Sequence, residues 1–331
     1  MIEHTQLTSK QRDALVQFRR ETIMFPQFEN AYRSISESLA VYRQTGLADL
    51  KAIYGEAGCG KTTVCKVIEG ENPRFVTPDR DVVPILYESV PALATISSVA
   101  ECLLAKLGDP IPSKGTNSSK TERLIRLIEA CGVEMVILDE LQHVHDRGQS
   151  PTIYKVADWI KNLVDRISRP VILVGLPRAR VLVDTNEQLR RRFGASLALD
   201  RMNLDTDSNV TEFVELASGL VDALPVQCNL DLTSDTDIER LYYASDGRIG
   251  HIVSLLYRAL MLVFHSKGRV IDKAVLERAF FEQIWRSGIG SLNPFREEFC
   301  FRRLEKRGEP FNTDHITRGI RSRNLHQGVE A

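Results

Sequence analysis

Residues 55–62 read GEAGCGKT, a complete match to the phosphate-loop pattern G-x-x-x-x-G-K-[ST]. The backbone of Gly55, Glu56, Ala57, Gly58, Cys59 and Gly60 is expected to wrap phosphate oxygens with its N–H groups, the glycines allowing the tight path. Lys61 reaches the outer phosphates as a point charge, Thr62 offers a hydroxyl to Mg²⁺, and Thr63 follows in the first helical turn. The motif needs a strand before it and a helix after it. The apolar run Leu50–Tyr54 and the amphipathic stretch 61–69 supply them, and the helix adds the positive end of its dipole. This loop therefore predicts an α/β fold that binds ATP with Mg²⁺.

Working outward, short apolar runs alternate with longer amphipathic ones. Val83–Val90, Val133–Leu138, Val171–Gly175 and Ser196–Leu199 join Leu50–Tyr54 as candidate strands, with helices expected at 61–69, 95–107, 120–131, 152–168 and 185–193. That alternation predicts a parallel five-stranded sheet with helices on both faces. The third run, VEMVILDE, ends in Asp139 and Glu140. Carboxylates at the C-terminal end of a parallel strand face the crevice where ligands bind. Asp139 is expected to hold Mg²⁺, partly through water, and Glu140 to orient the attacking water. His143 and His145 follow at once, but a spacing of two on a helix points side chains apart, so an exposed or satisfied polar role is expected for both.

The first 48 residues have helical periodicity (Leu15, Phe18, Ile23, Phe28, Ile35), interrupted at Pro26. From Asn209 the strand signal disappears, and 210–223, 234–246, 249–265 and 272–285 read as helices. The expected layout is an N-terminal helical extension (1–48), a nucleotide-binding α/β domain (49–208), a small all-helical lid (209–285) and a polar C-terminal tail (286–331) that docks on a partner or stays solvated. Seven basic residues in the tail (Arg302, Arg303, Lys306, Arg307, Arg318, Arg321, Arg323) suit DNA or protein docking.

Lys+Arg number 43 against 44 Asp+Glu, a net charge of −1, which excludes a uniformly basic coat for DNA but not a local basic strip. The six cysteines form no CxxC pair or regular framework, so reduced thiols are expected. Apolar runs fall short of the ~20 residues that span a bilayer, and MIEHTQLTSK lacks a signal-peptide pattern. A cytoplasmic protein without membrane partners is the expectation.

Residues 189–193 read LRRRF, and arginine suits the stabilisation of spread phosphoryl charge, including from a neighbouring subunit. The order GEAGCGKT, VILDE, VILVGLP, LRRRF and a helical lid resembles an AAA+ ATPase. Within that superfamily IMFPQFENAYRSI, LDELQHVH and SDGRIGHIVSLLYRA resemble the TniB and TnsC transposition regulators, functionally akin to MuB, over roughly residues 10–290. The resemblance implies ATP-dependent rings or filaments on duplex DNA that mark a target and recruit or activate a TnsB/TniA-type transposase, with TniQ or a CRISPR effector complex as further partners. It makes Arg191 or Arg192 the finger that reaches the next protomer. It also directs 111–123, IPSKGTNSSKTER, toward DNA, where Lys114, Lys120, Thr121 and Arg123 are candidate phosphate contacts without base readout.

Two positions depart from the superfamily pattern. The polar sensor after the fourth strand falls at Leu176, and the lid arginine position falls near Gly250, with Arg248 as the candidate nucleotide contact. Both departures suit slow, regulatory hydrolysis. The competing readings are an ExeA-like secretion ATPase, a replication initiator or helicase loader, and a nucleotide-dependent interaction switch with little turnover.

Overall fold

Every residue of Met135–Asp139 and of Val171–Gly175 is buried. Successive strand residues point to opposite faces, so these strands are covered on both sides. The computed structural model in which they lie describes residues 7–92, 94–146 and 150–312, the side chains of 145, 146 and 150–152 aside. The sheet strands are β1 (Leu50–Tyr54), β2 (Ile85–Ser89), β3 (Met135–Asp139), β4 (Val171–Gly175) and β5 (Leu197–Ala198). They run parallel in the order β2-β3-β4-β1-β5. The register sets Ser89 beside Asp139 and Tyr54 beside both Gly175 and Ala198, so the loop after β1 and the acids after β3 emerge at the same sheet edge.

Thirteen α-helices lie among the described residues. Those between and around the strands are α2 (Pro26–Thr45), α3 (Lys61–Glu71), α4 (Ile96–Lys106), α5 (Asn117–Ala130), α6 (Gln142–Asp146), α7 (Ser150–Ile167), α8 (Arg180–Asp184) and α9 (Glu187–Phe193), with α1 (Ser9–Arg20) before them. The lid region holds α10 (Asp207–Asp222), α11 (Asp235–Ser245), α12 (Ile249–His265) and α13 (Lys273–Gln283). Two short pairings were invisible to periodicity because two residues cannot show an alternation. Phe75–Val76 pairs antiparallel with Asp81–Val82, and Gln227–Cys228 pairs parallel with Val270–Ile271 inside the region expected to be all helical.

The chain divides into two compact units, 26–200 and a discontinuous one made of 1–25 with 201–331. The expected boundary at 48/49 does not coincide with this division. Pro26 is the first residue of α2 rather than an interruption, because its fixed φ and missing N–H are tolerated there. Phe28, Ile35 and Leu39 of α2 are buried, and the helix packs on α3 and β1. Leu15 and Phe18 of α1 are also buried, but α1 packs on α12, where the Arg19 guanidinium lies 5.0 Å from the Tyr257 ring centre. The two halves of the N-terminal segment thus belong to different cores.

The expectation of a solvated tail also changes. Phe295, Phe299, Leu304 and Phe311 are buried, and Arg240 of α11 donates to the carbonyls of Pro294 and Arg296. Arg303 pairs with the buried Asp246, and Arg302 pairs with Glu309. Spaced aromatic residues anchor an irregular segment that periodicity reads as polar coil. Arg318, Arg321 and Arg323 lie outside the described residues. Among the described residues no single helix is long and apolar enough to cross a membrane, and the six cysteines are free thiols.

His251 stacks on Phe311 with ring centres 5.4 Å apart, and its Nδ1 meets the Ser245 carbonyl at 3.0 Å. Burial pushes this imidazole below the ordinary histidine value. The Ser245 carbonyl opposes the shift, Arg248 adds to it, and Asp246 opposes it. The unfolded chain therefore takes up a proton near pH ~6.5 that the folded one refuses. Stability is full above that pH and declines as pH falls from there toward the depressed native value. Scanning calorimetry should show a lower melting temperature at pH 5.5 than at 7.5, with the gap reduced in His251→Phe; an equal gap in both proteins rules out this source.

Candidate active site

The loop after β1 is shaped by two neighbours. Gly55 donates its N–H to the Gly175 carbonyl at 3.3 Å, and a Cβ on Gly55 would stand 1.7 Å from the Leu199 carbonyl oxygen. Its φ is not positive, so this glycine is required by the close crossing of the chain at Leu199 and not by a turn, contrary to the sequence expectation. Gly58 and Gly60 do have positive φ, 81° and 94°, and Gly60 is the N-cap of α3. The loop's N–H groups and the start of α3 then share one concavity.

Lys61 is buried, and its Nζ donates to the Glu56 carbonyl at 2.6 Å, spanning the loop. Burial lowers its pKa from the ordinary lysine value, while Cys59, Asp139, Glu140 and Asp200 act in the opposite direction. Cys59 is also buried within the loop, and Thr63 is exposed on α3.

Thr62 Oγ1 donates to Asp139 Oδ2 at 2.6 Å, joining residues 77 positions apart. A hydroxyl and a carboxylate side by side are hard oxygen donors of the kind that would hold Mg²⁺. Tyr87 on β2 also donates to Asp139 Oδ2, at 3.1 Å. Burial, then Asp139, raise the Tyr87 pKa, so it remains a donor. Sequence reading missed Tyr87, although its place in the strand beside β3 could have flagged it.

Glu140 follows β3 with φ +57°, a left-handed conformation uncommon for a residue with a side chain. The turn lets Asp139 Oδ1 accept the Glu140 N–H at 2.7 Å and delivers the Leu141 N–H to Val174 O at 3.0 Å. The Gln142 amide donates to Glu140 Oε2. His143 Nδ1 lies 2.7 Å from the Val90 carbonyl, and its Nε2 lies 4.0 Å from Glu140 Oε2. The side chain of His145 lies outside the described residues.

Of the candidate finger residues, Arg192 pairs with Asp165 of α7. Arg191 is exposed near the C-terminal end of α9. Arg248 lies in the other unit, 3.3 Å from Asp246 Oδ2. The structure brings together the loop, Thr62, Asp139 and Glu140.

The candidate DNA contacts need correction. Lys120 is buried, its Nζ bonded to Glu101 at 2.5 Å and Ser97 at 2.7 Å. That bond holds the Glu101 carboxyl below the usual carboxylate range. Thr121 Oγ1 donates to the Asn117 carbonyl and accepts from Trp159 Nε1 at 2.9 Å. Arg123 bonds Asp109 at 2.9 Å and the carbonyls of Ile111, Pro112 and Lys114, folding the loop before α5. The helix is capped by Thr116 and starts at Asn117, three residues before the expected start at 120. Lys114 alone of the four candidates is exposed. Sequence reads charge but not its direction, and here three of four polar side chains turn inward to hold the loop.

Residues 15–203 match the family model described as bacterial TniB protein. The chain belongs to the TniB family. Membership makes it an AAA+ ATPase with a transposition-associated role. No curated protein matches this sequence. Among solved structures, this TniB-family protein is similar to the ORC1 protein of Aeropyrum pernix in complex with DNA, at 16% identity and a TM-score of 0.59, over 82% of this chain and 69% of that one. It is likewise similar to Cdc6p of Pyrobaculum aerophilum, at 11% identity and a TM-score of 0.59, over 82% of this chain and 70% of that one. The Aeropyrum pernix ORC2 protein in ADPNP-ADP complexes gives 16% identity and a TM-score of 0.54, over 79% and 70%. These likenesses show the AAA+ fold: the five-stranded parallel sheet with a C-terminal helical region.

Proposed function

We propose that this TniB-family protein is an ATP-hydrolysing oligomer that binds duplex DNA, marks it as a target and recruits or activates a transposase of the TnsB/TniA type. The observation that carries the ATPase part is the contact of Thr62 with Asp139, which joins the phosphate loop to the strand-end acids. Lys61 and the loop N–H groups bind the outer phosphates of ATP. Thr62 and Asp139 are the residues that would hold Mg²⁺, which when bound neutralises charge on the transferring phosphoryl group. Glu140 orients water for in-line attack and accepts its proton. Arg191 is the finger offered to the neighbouring protomer, because Arg192 is engaged by Asp165.

On the DNA side, the exposed stretch 113–119 with Lys114 presents side chains and backbone to phosphates, and repetition around an assembly supplies charge that one near-neutral protomer lacks. A double change of Lys114 and Lys120 cannot probe this, since Lys120→Glu would set two carboxylates against each other in the Glu101 site; Lys114→Glu alone is the clean probe.

Electron microscopy with ATP and duplex DNA tests the whole reading. Rings or filaments on DNA are expected from the native protein. Arg191→Ala should bind ATP as before but gain no turnover on assembly. Monomers under these conditions, with hydrolysis indifferent to DNA, would favour the low-turnover switch.

A further inference from the structure

Gln142, the first residue of α6, is only 4% exposed, yet both ends of its amide are satisfied. Its Oε1 accepts the Leu176 N–H at 3.0 Å, and its Nε2 donates to Glu140 Oε2. A backbone N–H can only donate, so the amide oxygen is obliged to face Leu176 and the NH₂ group is obliged to face the carboxylate. The orientation is therefore dictated by the end of β4. Gly175 leaves room for it: a Cβ there would stand 3.1 Å from Gln142 Oε1 and 2.9 Å from the Ala179 Cβ. Among the described residues Gln142 is the side chain within hydrogen-bond distance of the Glu140 carboxylate, since His143 Nε2 lies 4.0 Å away.

Residue 176, which follows β4, is leucine and has no polar side chain to offer the site. We infer that Gln142 is a positioning residue for ATP hydrolysis, linking the Leu176 N–H at the end of β4 to the Glu140 carboxylate through its own amide. The inference rests on the assignment of Glu140 as the residue that activates water. Pinning Oε2 leaves Oε1 to take the proton of the attacking water, and the left-handed turn at Glu140 fixes the backbone beneath it. The Glu140 side chain is then held at one carboxylate oxygen and at its backbone before substrate arrives, so less reorganisation accompanies the chemical step.

The test is steady-state turnover of the full-length protein with Mg-ATP, alongside binding of a fluorescent ATP analogue. Gln142→Glu keeps the shape and the acceptor for the Leu176 N–H but presents no donor to Glu140. It should lower kcat at least about tenfold while KM and nucleotide affinity stay within about threefold. Gln142→Leu, which loses both bonds, should fall at least as far. In a Glu140→Gln background, adding Gln142→Glu should cost nothing further, because the group it positions is gone. Unchanged or raised kcat in Gln142→Glu overturns the inference, as does an independent, multiplicative loss in the double variant. Should the native protein bind ATP without turning it over, the hydrolase reading fails first and takes this inference with it. Native turnover with indifferent Gln142 variants refutes the inference alone.

Discussion

Glu140→Gln should bind ATP with native affinity and lose turnover by about 10²–10⁴-fold, the range associated with removing a general base. The substitution keeps size and the hydrogen-bonding surface that faces Gln142, and it leaves the Thr62–Asp139 contact intact. Lys61→Ala should behave differently. Lys61 carries the buried charge within the loop, so its removal should abolish nucleotide binding as well as turnover. Isothermal titration with a slowly hydrolysed ATP analogue, together with phosphate release, separates the two. Persistent hydrolysis in Glu140→Gln would move the base elsewhere. With ATP trapped, the Glu140→Gln protein should also stay on DNA longer than the native one.

The second large effect is structural. Gly55→Ala would drive a methyl group to 1.7 Å from the Leu199 carbonyl oxygen, and that oxygen is main chain that cannot swing aside. β5 is held to β1 through the Leu199 N–H on the Tyr54 carbonyl at 2.8 Å, so the clash and this bond share one place. Overpacking of this kind should cost upwards of about 3 kcal/mol. For a unit the size of 26–200 this lowers the melting temperature by roughly 10 °C. Gly70→Ala in α3 is the natural control: a Cβ there meets nothing within 4 Å, so helix propensity should make it neutral or slightly stabilising. If Gly55→Ala melts like the native protein while only nucleotide affinity drops, the glycine serves phosphate approach and not strand packing.

Much of the fold was legible because the two central parallel strands, β3 and β4, are buried on both faces and so read as unbroken apolar runs. PVILVGLP and VEMVILDE became β4 and β3 within two residues, and GEAGCGKT fixed what lies between β1 and α3. The acids at the end of β3 were equally readable, since their place depends on local sequence alone. What periodicity could not show was the partner of a polar side chain. Lys120, Thr121 and Arg123 look like a phosphate-binding row until Glu101, Trp159 and Asp109 are found opposite them. Gln142 was hidden for the same reason, because its role is defined by a backbone N–H 34 residues away. The aromatic anchors of 294–312 likewise follow neither a strand nor a helix period.

The discontinuous unit has a consequence for biosynthesis. Leu15 and Phe18 of α1 find their cover on α12, which leaves the ribosome some 240 residues later. At ~5–20 residues per second, roughly ten to fifty seconds pass with that apolar face uncovered. The sheet unit, contiguous from Pro26 to Asp200, can close on itself in that interval, whereas the helical unit cannot begin its final packing until the last third of the chain appears. Nascent α1 is thus a natural client for a chaperone. An N-terminal truncation at residue 25 would leave the sheet intact and strip a wall from the late-folding helices.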